Sequence, residues 1–401
     1  MDRTTRVNLL IGTGHFLSHF YVLCLPPMFL LWQHEFDVSY AHLGITVMLM
    51  SGVTAALQTP VGFLVDKHGA RKFLVGGTLL MTLTIAAMGL ATSFWQILVL
   101  SALSGIGNSV IHPADYAILA GSIPKEKMGR SFAVHTFNGN LGFFFGPMAM
   151  AALTPLLGWR GSLILVGLLG IPLVATILAQ SSILVDQVRV KRTADQEMSG
   201  RELLMTKPML LFFGFFFLSS VATGGLQSWL ITALHQSKGI SAELGSTTLT
   251  IYMAGATAGV LVGGWAADRI KAHLTFATIL TVFSAILLVL VAWISMPDVL
   301  LFALMFASGV ALGSSRTPRD MMVRDAAPPG QVGKVFGFIS SGLPLGSAIA
   351  PVPLGWVLDR GHPEWVLPII AMVLLLSLCC VGTARVAAGN RAAARVPLPA
   401  E

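Results

Sequence analysis

The chain has 401 residues, of which 55% are hydrophobic and only 11% charged, and its formal net charge is +7. A soluble domain carries about 25% charged residues, so this composition excludes a water-soluble core, and the solvent around the chain is lipid. The positive excess sits in short segments between apolar runs, where it speaks to topology rather than to nucleic acid.

A bilayer core is crossed by about 20 apolar residues in helical form. In chain order the apolar runs are 8–32, 41–65, 73–92, 95–122, 130–154, 160–182, 208–234, 244–267, 273–296, 298–315, 331–357 and 363–384, which predicts an all-α membrane protein of twelve transmembrane helices. No small-residue cleavage site follows the first run, so it is read as a retained helix. Pro26-Pro27 in that run and Pro344 in the eleventh are expected to kink their helices. Cys24, Cys379 and Cys380 all lie inside apolar runs without metal-ligand spacing and are read as packing residues.

Sorting the loops alternately, with the N-terminus in the cytoplasm, leaves only Arg160, Lys238 and Arg360 of the 25 Lys and Arg on the outer side. That bias orients the chain with both termini cytoplasmic, as expected for a multi-pass protein of a bacterial inner membrane. A wrong span count would have scrambled the sorting.

The stretch 183–207 is the one long polar segment, with Arg189, Lys191, Arg192, Asp195, Glu197 and Arg201, and it divides the chain into six spans on either side. The expected organisation is an N-terminal six-helix bundle, 1–182, a cytoplasmic linker, 183–207, and a C-terminal six-helix bundle, 208–401. The halves echo each other in order. Gly62-x-x-x-Asp66-Lys67 recurs as Gly264-x-x-x-Asp268-Arg269, Gly129-Arg130-x-Phe132 as Gly333-Lys334-x-Phe336, and Gly142-x-x-x-Gly146-Pro147 as Gly346-x-x-x-Ala350-Pro351. Duplicated six-helix halves with a site near the midplane between them are a common plan for membrane transport proteins.

The segment Gly62-Phe63-Leu64-Val65-Asp66-Lys67-His68-Gly69-Ala70-Arg71-Lys72 resembles the cytoplasmic loop signature of the major facilitator superfamily. The resemblance implies two pseudo-symmetric six-helix bundles that alternate access. It also implies a cytoplasmic latch of Gly62, Asp66, Gly69 and Arg71, echoed by Gly264, Asp268 and Arg269. Glycines permit a tight turn there, and an aspartate can cap a helix or pair with a cation, neither of which a simple positive anchor needs. The run Asn138 to Pro147 resembles the helix 5 motif of drug–proton antiporters, without the glycines usual after the proline. Gly105-x-Gly107-x4-His112-Pro113 is similar to a segment of the fosmidomycin-resistance-like branch, while Ser101 stands where most drug antiporters place an arginine.

Of the 18 acids only Asp115 falls inside a span. An ionisable group in the bilayer is costly, and a functional role is its default reading. A proton or a cation neutralises such a lone carboxylate, which suits proton coupling. Pro113 and Pro318 align in the repeat, so the resemblance sets Asp115 across the cavity from Arg316, and an inter-half salt bridge is expected. His15 and His19 are four residues apart on one helix face, and with His112 they are proton-coupling candidates beside Asp115. Two histidines could begin a metal site, but no third ligand stands near them in sequence, so no metal is expected. Tyr21, Asn138, Gln227 and Arg316 are the candidates for the substrate cavity, with Asn140, Trp229 and Tyr252 as further polar groups.

The expected function is proton-coupled export, as an antiporter, of a small amphipathic or anionic compound. Proton-coupled uptake of a metabolite such as an organic acid is the alternative. No paired carboxylates or nucleophile–base constellation points to an enzyme, no cofactor is expected, and the partners are a small molecule, protons and the bilayer, with the protein working as a monomer.

Overall fold

The computed structural model describes residues 2–185, 205–267, 269–327 and 332–393, with the backbone alone at 66, 125, 129, 332–334, 336 and 382–393. Its described residues are helical with short connections and contain no strand. Most of the expected linker, 186–204, and Asp268 lie outside them.

Eleven helices are long and apolar enough to cross a membrane. One of these, Met128–Gln180, runs 53 residues and is broken at Gly158, whose φ of 65° only glycine adopts freely. That turn makes two antiparallel spans, so the described residues hold twelve, as expected. In chain order they are α1 (Arg3–Phe36), α2 (Tyr40–His68), α3 (Ala70–Met88), α4 (Phe94–Ser122), α5 (128–157), α6 (159–180), α7 (Lys207–Lys238), α8 (Ala242–Ala267), α9 (His273–Trp293), α10 (Asp298–Ala326), α11 (332–359) and α12 (Val366–Ala393).

Local chemistry accounts for the ends and breaks. Asp2 caps α1 by accepting from the Thr5 N–H at 2.9 Å. The side chain and backbone of Thr5, then Lys127, hold the Asp2 carboxyl down to about 2. Pro26 and Pro27 lack N–H donors, and there α1 tightens into the 3₁₀ turn Pro26–Met28 before resuming. Pro351 opens the last segment of α11, and a second break falls at Ser341 just before Pro344. The α2–α3 turn is made at Gly69 with φ 88°, the tight turn expected of the loop signature.

Two corrections concern helix ends. The tenth span does not stop at 315: α10 runs on to Ala326 and carries Arg316, Arg319 and Arg324 within the helix. The polar run there had the look of a loop, but Arg319 is satisfied in place by Asp320 at 3.0 Å and Arg324 by Asp325 at 3.0 Å. The eleventh span is three short helices rather than one.

The repeat is visible in packing. A Cβ at Gly142 of α5 would lie 2.3 Å from the Phe16 carbonyl oxygen of α1, and one at Gly346 of α11 would lie 2.4 Å from that of Phe217 in α7. In lipid, helices associate through such backbone-to-backbone approach, because apolar side chains gain little by leaving lipid tails. Gly142→Leu and Gly346→Leu are therefore each expected to collapse the yield of monodisperse protein in detergent, read by size-exclusion chromatography. Overpacking a core costs about 1–3 kcal/mol, and here the obstacle is a carbonyl that cannot turn aside.

The halves meet along two seams, α2 with α11 and α5 with α8. At the face poor in Lys and Arg the first seam is closed. Asp359, ending α11, accepts from the N–H groups of Tyr40 at 2.6 Å and Ala41 at 2.9 Å. One half thus caps a helix N-terminus of the other. Gln236 of α7 donates to the Tyr40 hydroxyl, and Trp229 of α7 packs against Phe29 at 5.1 Å and donates to the Pro351 carbonyl at 2.7 Å.

Candidate functional site

The polar centre of the N-terminal half is assembled by α1, α4 and α5. Pro113 cannot donate to the carbonyl four residues before it, and α4 breaks at Val110 just ahead of it. The break turns His112 and Asp115 toward α1 and α5. Gly139 of α5 makes room for the rings: a Cβ there would lie 2.6 Å from His15 Cε1 and 2.8 Å from His19 Nδ1.

Asp115 is 0% exposed, and its Oδ2 is 2.8 Å from Nε2 of His135 on α5. Its other oxygen, Oδ1, is buried without a hydrogen-bond partner. His135 in turn stacks on His15, with ring centroids 3.8 Å apart and planes 7° from parallel. Its backbone carbonyl accepts from His15 Nδ1 at 2.8 Å. A carbonyl can only accept, so His15 carries its proton on Nδ1. Its Nε2 is then a bare lone pair, and that atom is buried without a partner. His19 and His112 complete the group, 4.4 Å and 5.0 Å from the His15 ring by centroid. Tyr116 stands over His112 and His135 at 5.8 Å and 5.6 Å.

The structure thus brings together all four expected proton-coupling residues, Asp115, His112, His15 and His19, and adds His135. It also corrects two expectations. Asp115 does not pair with Arg316: its partner is His135, in its own half. And the third ligand that His15 and His19 lack in sequence comes from α4, because the bundle folds His112 against them. One ring nitrogen from each of these three lies within 4.8 Å of the others.

Arg316 is partly buried on α10 and donates across the halves to Asn140 Oδ1 at 3.3 Å. It also lies within electrostatic reach of His19 and Tyr252. Of the cavity candidates, Asn138 bonds its own helix at Val134 and packs on Gly12, so its neighbour Asn140 is the one that meets the other half. Tyr21 is 1% exposed, with its hydroxyl against Thr82 of α3 at 3.3 Å, inside the N-terminal bundle. Gln227 reaches toward Met253 Sδ of α8 at 3.8 Å.

Among the latch residues, Gly69 makes the α2–α3 turn and Gly62 faces Pro113 of α4. Arg269 lies over the Trp265 ring at 4.5 Å and donates to that residue's carbonyl at 3.1 Å. Among the described residues nothing lies within 4 Å of the open side of Gly264, and the Asp66 side chain and Asp268 lie outside them.

Twelve spans in two like halves, meeting at seams around a polar centre, are the architecture of an alternating-access transport protein of the membrane. The Major Facilitator Superfamily model matches residues 11–248 and 211–395. The chain belongs to the Major Facilitator Superfamily. It is 24% identical over 384 residues to the fosmidomycin resistance protein of Escherichia coli K12, covering 92% of this chain and 91% of that protein. It is 27% identical over 161 residues to a multi-drug resistance efflux pump of Streptococcus pneumoniae, covering 38% of this chain and 39% of the pump. Among solved structures, a bacterial homologue of the human lysosomal transporter Spinster, inward-facing and occupied, superposes with a TM-score of 0.79 at 12% identity over the whole of both chains.

Proposed function

We propose that this transporter is a proton-coupled antiporter that exports a small amphipathic or anionic compound across a bacterial inner membrane, with both termini cytoplasmic. The observation that carries the reading is Asp115, a wholly buried carboxylate held by one histidine, with its second oxygen unpartnered. A buried charge with so little compensation is costly, and a proton relieves the cost. Asp115 is then the group that loads and releases the coupled proton, and His135 positions it. His15, His112, Tyr116 and, further off, His19 and Arg316 face the same space.

The anionic preference rests on Arg316, a cation between the halves whose described hydrogen bond is to the neutral Asn140. Gln227, Asn138 and Tyr21 are assigned to the substrate cavity as further polar groups. Export is favoured by the resistance protein and the efflux pump among the relatives. The sidedness is favoured by the Lys and Arg sorting. The loop of Gly62, Asp66, Gly69 and Arg71, with Gly264, Asp268 and Arg269, is assigned to latching the cytoplasmic side, and the protein works as a monomer.

Proteoliposomes enclosing a pH dye test the reading. With a candidate anion or hydrophobic drug loaded inside, antiport acidifies the lumen as substrate leaves. Substrate-dependent alkalinisation would mean that proton and substrate travel together, as in uptake. Substrate movement without any pH change would leave a facilitator and sink the coupling.

A further inference from the structure

Three histidines of α1 and α4 each keep a ring nitrogen without a partner. His15 Nε2, His19 Nδ1 and His112 Nδ1 are all buried without a hydrogen-bond partner, and His15 as a whole is 3% exposed. Three imidazoles from two helices, offering nitrogens within 4.8 Å of one another, are an arrangement for which simple packing gives no reason. We propose that His15, His19 and His112 bind one divalent transition-metal cation of the zinc class, at a site separate from the proton-loading carboxylate.

The donor set selects the ion. Neutral imidazole is a borderline donor that suits zinc, copper or nickel, while magnesium and calcium want oxygen. Zinc takes nitrogen at about 2.0–2.1 Å in a tetrahedron, which sets nitrogens roughly 3.3 Å apart, so the rings close by about 1.5 Å at most on binding. Side-chain rotation covers that distance, and Gly139 leaves the space for it. The outer shell is already in place. The His135 carbonyl holds His15 in the tautomer that leaves Nε2 free to bind, as carbonyls and carboxylates do for metal-ligating histidines. His135 itself is spent on Asp115 and is not a ligand. Three protein ligands leave a fourth position open, as in sites where the metal meets a ligand from solution. Arg316, within electrostatic reach of His19, opposes a bare dication and favours one that carries an anionic fourth ligand.

The test uses the full-length chain, free of any affinity tag, in detergent. Co²⁺ is titrated in acetate buffer, and its d–d absorption reports four-coordinate nitrogen ligation in the unaltered protein. Zn²⁺ retained after gel filtration is counted by mass spectrometry. The expected result is one ion per chain with the intense visible bands of tetrahedral cobalt. His19→Gln and His112→Gln, at the two less buried positions, are each expected to weaken binding at least about tenfold. His42→Gln and His362→Gln, on exposed residues outside the cluster, are expected to change nothing. Absent or weak octahedral bands in the unaltered protein would overturn the proposal, whatever the variants do. So would undiminished stoichiometric binding in a His19→Gln, His112→Gln double variant. Neither result touches the coupling assay, in which no metal is added, and loss of coupling with intact cobalt binding would sink only the proton reading.

Discussion

Asp115→Asn is expected to abolish substrate-dependent proton flux in proteoliposomes while leaving the protein folded and able to exchange substrate for substrate. Asparagine keeps the shape of the side chain and can accept from His135 Nε2 across the same 2.8 Å, so the helices around it lose no contact. What it cannot do is take up and release a proton. The charge-neutral form is permanent, and the step that needs the charged form no longer depends on pH. Substitution of His135 is the less informative variant. It leaves a buried carboxylate with no partner at all, and breaking such a pair costs about 3–5 kcal/mol, enough to confuse lost folding with lost coupling. Flux that survives in Asp115→Asn would move the proton to His15, His19 or His112.

The second large effect is expected at the opposite end of the cavity, where Asp359→Ala should shift the protein away from the state closed on the Lys- and Arg-poor face. Asp359 accepts two backbone N–H groups, from Tyr40 and Ala41, and both belong to the other half. Hydrogen bonds to a charged group contribute about 1.5–3 kcal/mol each, and loss of a helix cap about 0.5–2 kcal/mol. Asp359 itself is exposed, so the lower end applies, and a change of about 1.4 kcal/mol is already a tenfold change in population. Spin labels at Trp95→Cys and Val299→Cys, exposed at that face on opposite halves, would report a longer distance gaining at least about tenfold in population. An unchanged distance distribution would show that the aromatic contacts of Phe29, Tyr40 and Trp229 hold the seam alone.

The fold was largely legible because lipid leaves the chain few choices. Every backbone polar group in the bilayer must be satisfied inside its own segment, so apolar runs of the right length become helices. The failures are local: α11 breaks into three short helices around its prolines, and the end of α10 was set too early. Where polar residues satisfy one another inside the protein, composition no longer marks the membrane boundary, and α10 accordingly runs through Arg316, Arg319 and Arg324 to Ala326. Within the site, His15 with His19 was readable from spacing on one helix, and Asp115 from its isolation. His135 was not singled out, because it stands near the start of a span, where a titratable side chain attracts no notice. A signal existed: it lies one helical turn before Gly139 on α5, and a lone buried carboxylate demands a partner from a neighbouring helix. Convergence of His112 on the α1 pair depends on how α4 packs, which no local pattern encodes.

The three cations at the sparsely charged face have a consequence for how the chain comes to be oriented. Arg160 is held by Glu35 and the Ala91 carbonyl, Lys238 donates to the Ile294 carbonyl at 3.0 Å, and Arg360 lies 4.6 Å from the Trp356 ring. Arg360 finds its ring within its own helix end, but Arg160 and Lys238 are satisfied only once distant segments have met, which happens after the spans have entered the bilayer. During insertion they are bare charges, one to a hairpin, set against the clusters in the loops that alternate with them. They are too few to reverse any hairpin, yet a few added lysines near Gly158 would act at the moment of insertion, before Glu35 is available to mask them. Topology in this chain is thus decided by an imbalance that the finished protein largely conceals.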